Sequence, residues 1–126
     1  MAIYSFTKAI SEGRAIDIYN QGNMQRDFTY IDDIINGTVA SIDLSAPYEV
    51  FNLGNHRKEN LTSLVEYIEH SLGKKAKKNF LAMQIGDVEV TYADIEHSQE
   101  KLGYIPKTTL QDGIAKFVEW YTSYES

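Results

Sequence analysis

Apolar residues recur every three or four positions in five stretches of the chain, and each stretch is predicted to be a helix. The first begins almost at residue 1, with Ile3, Phe6 and Ile10 on one face and Gly13 at its end. The other four cover about 34–42, 60–72, 95–102 and 109–121. Their candidate N-cap residues are Asp32 or Asp33, Asn60, Asp94, and Thr108 or Thr109.

Alternating apolar and polar residues, rich in β-branched and aromatic side chains, predict short strands between these helices. The predicted strands are 16–19, 27–31, 48–53, 80–83 and 88–91. Helices and strands do not alternate as in a regular βαβ series, so an independent doubly wound sheet is not expected. The prediction is a small mixed α/β fold with about five helices, forming a single domain over residues 1–126.

Composition narrows the classes of function. Hydrophobic residues make up 43% of the 126 residues and charged ones 24%, which is typical of a folded globular chain. The net charge of −6 argues against a nucleic-acid partner, because phosphate binding needs a basic surface. The absence of cysteine excludes a disulfide framework. No apolar run approaches the ~20 residues that cross a bilayer, and no signal peptide precedes the first helix, so we expect a cytoplasmic protein that binds no membrane.

Several familiar catalytic patterns are missing from the sequence. There is no G-x-G-x-x-G turn for a dinucleotide, no G-x-x-x-x-G-K-[ST] loop and no H-E-x-x-H zinc motif. The three histidines are far apart in the chain, which favours surface residues over a metal site. The sequence therefore predicts no metal, and no active site complete in itself.

Two segments carry candidate binding chemistry. Arg26 follows a Gly-containing turn, where its planar guanidinium can meet a phosphate or a carboxylate; pairing with Asp27, Asp32 or Asp33 is the simpler alternative. Asp87 follows Gly86 and can accept hydrogen bonds from sugar hydroxyls, although an ordinary Asx turn before a strand is the simpler explanation.

Taken together, these segments resemble a known family. The residues that carry the likeness are 16–20, the block R-D-F-T-Y-I-D-D-I at 26–34, F-N-L-G-N at 51–55, G-D-V at 86–88, T-Y-A-D at 91–94 and G-Y-I-P at 103–106. In this order they resemble the C-terminal part of NAD-dependent nucleotide-sugar epimerases of the extended short-chain dehydrogenase/reductase superfamily. The likeness is strongest to UDP-glucuronate 4-epimerases and related capsular polysaccharide biosynthesis proteins.

The resemblance implies roles for individual residues in holding a UDP-sugar. Arg26 corresponds to the arginine that binds the diphosphate, and Asp87 to the aspartate that contacts the ribose hydroxyls. Ile18 and Tyr19 correspond to residues that pack near the uracil. Gln84 stands where galactose-type relatives have an arginine, and Thr91 would lie near the sugar pocket.

The resemblance also implies what lies elsewhere. In this family NAD, the Gly-rich turn and the catalytic Tyr-x-x-x-Lys pair belong to the Rossmann half, so we expect this chain to bind no cofactor by itself and to be a portion of an epimerase. Its partners would be a UDP-sugar, the missing Rossmann half, and a second copy if an apolar face is left exposed. Two alternatives stay open: a non-catalytic nucleotide-sugar-binding or interaction module, and the same portion of a sibling dehydratase or decarboxylase.

Overall fold

The computed structural model describes residues 2–45 and 47–125. Within them the chain forms five α-helices: α1 Ala2–Ser11, α2 Ile31–Asp43, α3 Leu61–Leu72, α4 Glu96–Leu102 and α5 Leu110–Tyr124. The same residues form four short strands: β1 Ala15–Tyr19, β2 Gln25–Arg26, β3 Glu59–Asn60 and β4 Lys77–Leu81. The predicted mixed α/β fold with five helices is therefore confirmed.

The strands pair in two separate two-stranded sheets. β1 runs parallel to β4, with Ala15 opposite Lys77 and Tyr19 opposite Leu81. β2 runs antiparallel to β3, with Arg26 opposite Glu59. A parallel pair needs a long crossover connection, and here the chain between β1 and β4 contains both α2 and α3.

The core lies between one face of β1 and three helices. Alternate residues of β1, Ile16 and Ile18, are buried, as the period of a strand dictates. They meet buried side chains from α1, α3 and α5, which are Ala9, Ile10, Leu64, Val65, Ile68, Leu110, Ile114 and Val118. Burying a side chain of this size contributes roughly 1.5–3 kcal/mol, so this cluster is the main source of stability.

Three helix ends follow the sequence prediction. Gly73 after α3 and Gly103 after α4 both adopt the left-handed conformation, with φ of 68° and 63°. Glycine does this without the steric cost that a Cβ brings. At the other end of a helix, the Thr109 side chain accepts a hydrogen bond from the backbone N–H of Asp112 and caps α5.

Two predicted strands are wrong. The segment 27–30 forms neither helix nor strand, and α2 begins at Ile31. Residues 27–30 pair with no strand among the described residues, and the Asp27 carboxylate accepts hydrogen bonds from other loops. The segment 48–53 does not pair with any strand among the described residues. Instead, its Asn52 carbonyl accepts from the Ser98 hydroxyl at 2.6 Å, which replaces a strand ladder with a loop contact.

Two other predicted strands differ from the structure in their extent because pairing with distant segments sets it. The strand predicted at 80–83 is β4, which begins at Lys77 because pairing with β1 sets its register. The strand predicted at 88–91 is reduced to one bridge between Val90 and Gln25.

The predicted caps of α2 and α3 also need correction. The N-cap of α2 is Tyr30, while the buried Asp33 carboxylate accepts from the backbone N–H groups of Lys107 and Thr108. Asn60 occupies the N-cap position of α3, but its side chain accepts from Gln25 instead of capping the helix.

Helix α2 presents an apolar face to solvent. Ile31, Ile35, Val39 and Ile42 are all exposed, and they recur at helical spacing along one side of α2. We call these four residues the α2 apolar face. The sequence pattern correctly marks α2 as amphipathic, but nothing among the described residues covers this side.

Candidate functional site

The candidate site lies beyond the carboxyl ends of the parallel pair. Tyr19 and Leu81 are opposite each other at the last register position of β1 and β4. After β1 the polypeptide continues to Arg26, and after β4 it continues to Asp87. Parallel strands bring the loops after their carboxyl ends together, and ligands bind in such places in open α/β sheets.

The short strand β2 is the centre of the site. Gln25 donates its backbone N–H to the carbonyl of Glu89 at 2.7 Å, and its own carbonyl accepts from Thr91 N–H at 3.1 Å. On its other side β2 pairs with β3. The segment 89–91 is therefore fixed beside Arg26 by main-chain hydrogen bonds.

Arg26 is held by three acceptors. Its Nη1 donates to the carbonyls of Gln25 at 2.8 Å and Glu89 at 3.2 Å, and its Nη2 donates to Oδ1 of Asp87 at 3.0 Å. The expected alternative pairing with Asp27, Asp32 or Asp33 is thus wrong, because the ion pair forms with Asp87, 61 residues away. The two side chains are 25% and 31% exposed, so both remain open to solvent on one side.

Asp87 lies in a turn at 84–88, and its side chain also contacts Arg26. Its N–H donates to the carbonyl of Gln84 at 3.2 Å, and its Oδ1 also accepts from the N–H of Val88 at 2.9 Å. The turn interpretation of Gly86–Asp87 is therefore correct in part. Since the same carboxylate also contacts Arg26, the turn also brings two predicted binding residues together.

The other predicted site residues are placed less directly. Ile18 is 1% exposed, so its side chain belongs to the core and any ligand contact would come from its backbone. Tyr19 is half-buried at the end of β1, and Gln84 and Thr91 are exposed on the segment that carries Asp87. Among the described residues, none of these three side chains hydrogen-bonds to Arg26 or Asp87.

Sequence reasoning missed Asp27. Its carboxylate accepts the backbone N–H groups of Asn55, His56 and Ala93, with distances of 3.0–3.2 Å. These donors belong to two loops far apart in sequence. The only available signal was the position of Asp27 beside Arg26, which cannot reveal partners in distant loops.

Tyr104, in the G-Y-I-P segment, is a second residue whose role the sequence does not indicate. Its hydroxyl donates to the carbonyl of Gly54 at 2.7 Å, next to the residues that Asp27 binds. Burial, together with the negative charges of Asp33 and Asp27, raises the pKa of Tyr104 to about 12. Tyr104 is therefore a neutral hydrogen-bond donor that fixes the 54–56 loop.

The spacing Tyr-x-x-x-Lys does occur once in the chain, at Tyr4 and Lys8 of α1. Tyr4 packs edge-on against Tyr121 and donates its hydroxyl to Glu125 at 2.9 Å. That hydrogen bond raises the pKa of Tyr4, which is opposite to what a tyrosine acting as a base near neutral pH requires. We therefore assign this pair no catalytic role.

The described residues do not fit a dinucleotide or a metal. β1 is followed by a 3-10 turn at Asn20–Gly22 and β4 by a turn at 84–87, and neither leads directly into a helix N-terminus as a dinucleotide fold requires. Residues 2–45 and 47–125 contain no group of three acidic, histidine or cysteine side chains suited to a metal ion. In the same residues, no helix has the length and apolarity needed to cross a bilayer.

Comparison with known proteins finds a matching family model and several similar relatives. Residues 1–54 match the family described as NAD dependent epimerase/dehydratase. A protein of Methanocaldococcus jannaschii named only as uncharacterized MJ1055 is 49% identical over 121 residues, covering 96% of this chain and 37% of that protein.

Two further relatives carry names that state an activity. The UDP-glucuronate 4-epimerase 4 of Arabidopsis thaliana is 44% identical, covering all of this chain and 33% of its own length. The crystal structure of UDP-glucuronic acid 4-epimerase from Bacillus cereus, in complex with UDP-glucuronic acid and NAD, superposes with a TM-score of 0.90 at 33% identity. That match covers 98% of this chain and 40% of the other.

These matches confirm the resemblance that the sequence motifs predicted. The chain is similar to a portion of UDP-glucuronate 4-epimerases, and residues 1–54 match the NAD dependent epimerase/dehydratase family. It spans between 33% and 40% of the length of the relatives named above.

Proposed function

We propose that this chain is the UDP-sugar-binding portion of an NAD-dependent UDP-sugar 4-epimerase acting on UDP-glucuronate or UDP-galacturonate. The observation that carries the proposal is the contact between Arg26 and Asp87. The resemblance implies a different part of UDP for each of them, and their side chains lie 3.0 Å apart. The B. cereus relative, whose structure contains UDP-glucuronic acid, supports the same class of ligand.

Arg26 is suited to the diphosphate. A guanidinium has five N–H donors, of which three are used here by Gln25, Glu89 and Asp87. Two donors remain for a ligand, and the carbonyl contacts hold the group in place before the ligand arrives. A fixed planar cation loses little entropy on binding, which favours a charge-assisted contact with phosphate oxygens.

The remaining roles follow from position along the two loops. Asp87 would accept from the ribose hydroxyls through its second oxygen, since Oδ1 is already used by Arg26 and Val88. Tyr19 would offer its ring to the uracil, with Ile18 contributing main chain only. Gln84 and Thr91, both exposed beside Asp87, would face the diphosphate and the sugar.

The catalytic step would belong to the rest of the parent protein. The residues here do not fit NAD, so residues 1–126 would act as one substrate-binding domain that cannot turn over a sugar alone. The α2 apolar face is consistent with a missing partner, because four exposed aliphatic side chains on one helix favour association. In isolation the same face would favour contact between two copies.

Calorimetric titration of the purified chain tests the proposal. We expect saturable binding of UDP and UDP-glucuronate and none of NAD. Arg26→Ala should weaken UDP binding by about 10- to 100-fold, as expected for loss of one charge-assisted contact. Arg14→Ala is the matched control, because Arg14 is also an arginine in an ion pair, with Glu12, but lies outside the site.

Each outcome decides a part of the proposal. Absence of UDP binding, or equal losses in Arg26→Ala and Arg14→Ala, would contradict the UDP site. UDP-glucuronate binding no tighter than UDP-glucose would contradict the uronic-acid assignment and leave a sibling enzyme as the better parent. Binding of NAD by this chain would contradict the division of roles between two portions.

A further inference from the structure

Asp27 connects the site to two loops at once. It follows Arg26 directly in the chain, yet its carboxylate points to different partners. Oδ1 accepts from Asn55 N–H at 3.0 Å, and Oδ2 accepts from His56 N–H at 3.0 Å and Ala93 N–H at 3.1 Å. A half-buried carboxylate with three main-chain donors acts as a junction between loops 54–56 and 91–93.

The loop that ends at Ala93 is the one that carries Asp87. Gln25 and Arg26 hold this loop through Glu89 and Thr91, and Asp27 holds it again at Ala93. Three consecutive residues therefore fix one segment at successive points. The position of Asp87 relative to Arg26 depends on that alignment, because the ion pair alone joins two partly solvated side chains.

Loops 54–56 and 91–93 approach each other closely at Gly54. A Cβ placed on Gly54 would lie 2.6 Å from the Cβ of Ala93 and 2.8 Å from Oδ2 of Asp27. The two loops are thus in direct contact at Gly54 and are joined by the Asp27 carboxylate. Replacing the carboxylate by an amide keeps one acceptor oxygen and turns an NH2 group toward the donors that the other oxygen serves, so main-chain donors are left without an acceptor and the loops should separate there.

We propose that Asp27 is a positioning residue of the nucleotide site, which sets the spacing of Arg26 and Asp87 by fixing the 87–93 segment. This inference rests on the proposed UDP-binding function for its effect on affinity. The effect of Asp27 on the Arg26–Asp87 contact does not depend on UDP binding, because that contact is present in the free protein. The two can therefore be tested separately.

The first measurement is UDP affinity. Asp27→Asn should weaken UDP binding by about tenfold or more while leaving the chain folded. Glu69→Gln is the matched control, since Glu69 is also a poorly exposed carboxylate that accepts a main-chain N–H, from Ala76 at 2.8 Å. Glu69 belongs to α3, and its partner Ala76 lies just before the amino end of β4, away from the site. Glu69→Gln should therefore change UDP affinity by less than about twofold.

The second measurement needs no ligand. The ¹⁵N side-chain resonance of Arg26 is followed when Asp87→Asn removes the charge of its partner. Asp87→Asn should shift the resonance when it is introduced into the wild-type chain or into Glu69→Gln. It should cause no shift in the Asp27→Asn background, because the contact between Arg26 and Asp87 is already lost there. A role for Asp27 in stability alone would leave the shift present in all three.

The outcomes separate the two proposals. If the wild-type chain binds no UDP, the proposed function fails and the resonance experiment alone decides the role of Asp27. Unchanged UDP affinity in Asp27→Asn, or an Arg26 resonance that still responds to Asp87→Asn in that variant, would overturn the positioning role. If Asp27→Asn does not fold, Asp27→Glu keeps an acceptor on a longer stem and is expected to give the same two losses in smaller measure.

Discussion

The guanidinium of Arg26 and the carboxylate of Asp87 form an ion pair across 61 residues of sequence. Most exposed ion pairs contribute only about 0–1 kcal/mol, so this contact is of little use as a source of stability. Its value lies in placing a cation and an acceptor side by side.

Asp87→Asn should alter binding much more than stability. The amide can still accept from Arg26, so the free energy of unfolding should change by less than about 1 kcal/mol. Loss of the charge should weaken uridine binding by about tenfold, because the carboxylate is the proposed acceptor for ribose hydroxyls. Urea unfolding and calorimetry with uridine measure the two effects. Asp17→Asn, an exposed aspartate on β1, serves as control, and equal uridine affinity in both variants would refute the assignment.

Tyr104 makes stability depend on pH in the alkaline range. Its pKa is about 12 in the folded chain against an ordinary 10.0, so between these values the unfolded chain loses a proton that the folded chain keeps. Stability from this group is therefore complete below pH 10 and falls as pH rises towards 12. Tyr104→Phe should remove that part of the decline and, by losing the hydrogen bond to Gly54, cost about 1 kcal/mol near neutral pH.

Urea unfolding of the wild type and Tyr104→Phe at several pH values between 9 and about 11.5 tests this, with Tyr124→Phe as an exposed control. If the free energy of unfolding has the same pH dependence in the wild type and in Tyr104→Phe, the raised pKa of Tyr104 contributes nothing to stability.

Two isoleucines of similar chemistry should behave in opposite ways. Ile68 of α3 has no exposed surface, and Ile68→Ala should lower the free energy of unfolding by about 2–5 kcal/mol through lost burial and a cavity. Ile42 of α2 is 76% exposed, and Ile42→Ala should change it by less than about 0.5 kcal/mol. Thermal or urea unfolding compares them directly. A large loss in Ile42→Ala would mean that the α2 apolar face is already covered in solution.

The α2 apolar face should control self-association. Ile31→Lys and Ile35→Lys place charges on the exposed stripe and should lower the fraction of dimer and larger species in sedimentation velocity. Ile105→Lys adds the same charge at another exposed isoleucine and should not. Equal effects from all three variants would point to net charge instead of this face.

Local patterns predicted the helices well because their signals are local. The apolar period marks α1, α3 and α5, and the glycines after α3 and α4 end those helices as expected. The strands were harder. β4 is exposed at all five positions, so its limits come from pairing with β1 and not from any hydrophobic alternation.

The site also combines features with a local sequence signal and features that depend on distant contacts. Arg26 and Asp87 stand out as charged residues beside turns, and the resemblance gave both a role before their contact was seen. The pairing of Arg26 with Asp87 and the loop junction at Asp27 both depend on the path of distant segments. The strand predicted at 48–53 failed for a related reason, because alternation describes a side-chain pattern but does not supply a neighbouring strand.

The parallel pairing of β1 with β4 has a consequence for how the chain folds. Its register joins residues 15–19 to 77–81, so the pair can form only after a loop of about sixty residues has closed. Helices α1, α3 and α5 contain local hydrogen bonds and need no such closure. We expect the helices to assemble early and the strand pair late. The proposed nucleotide-binding surface, which is built on the carboxyl ends of both strands, would then be acquired in the last stage of folding.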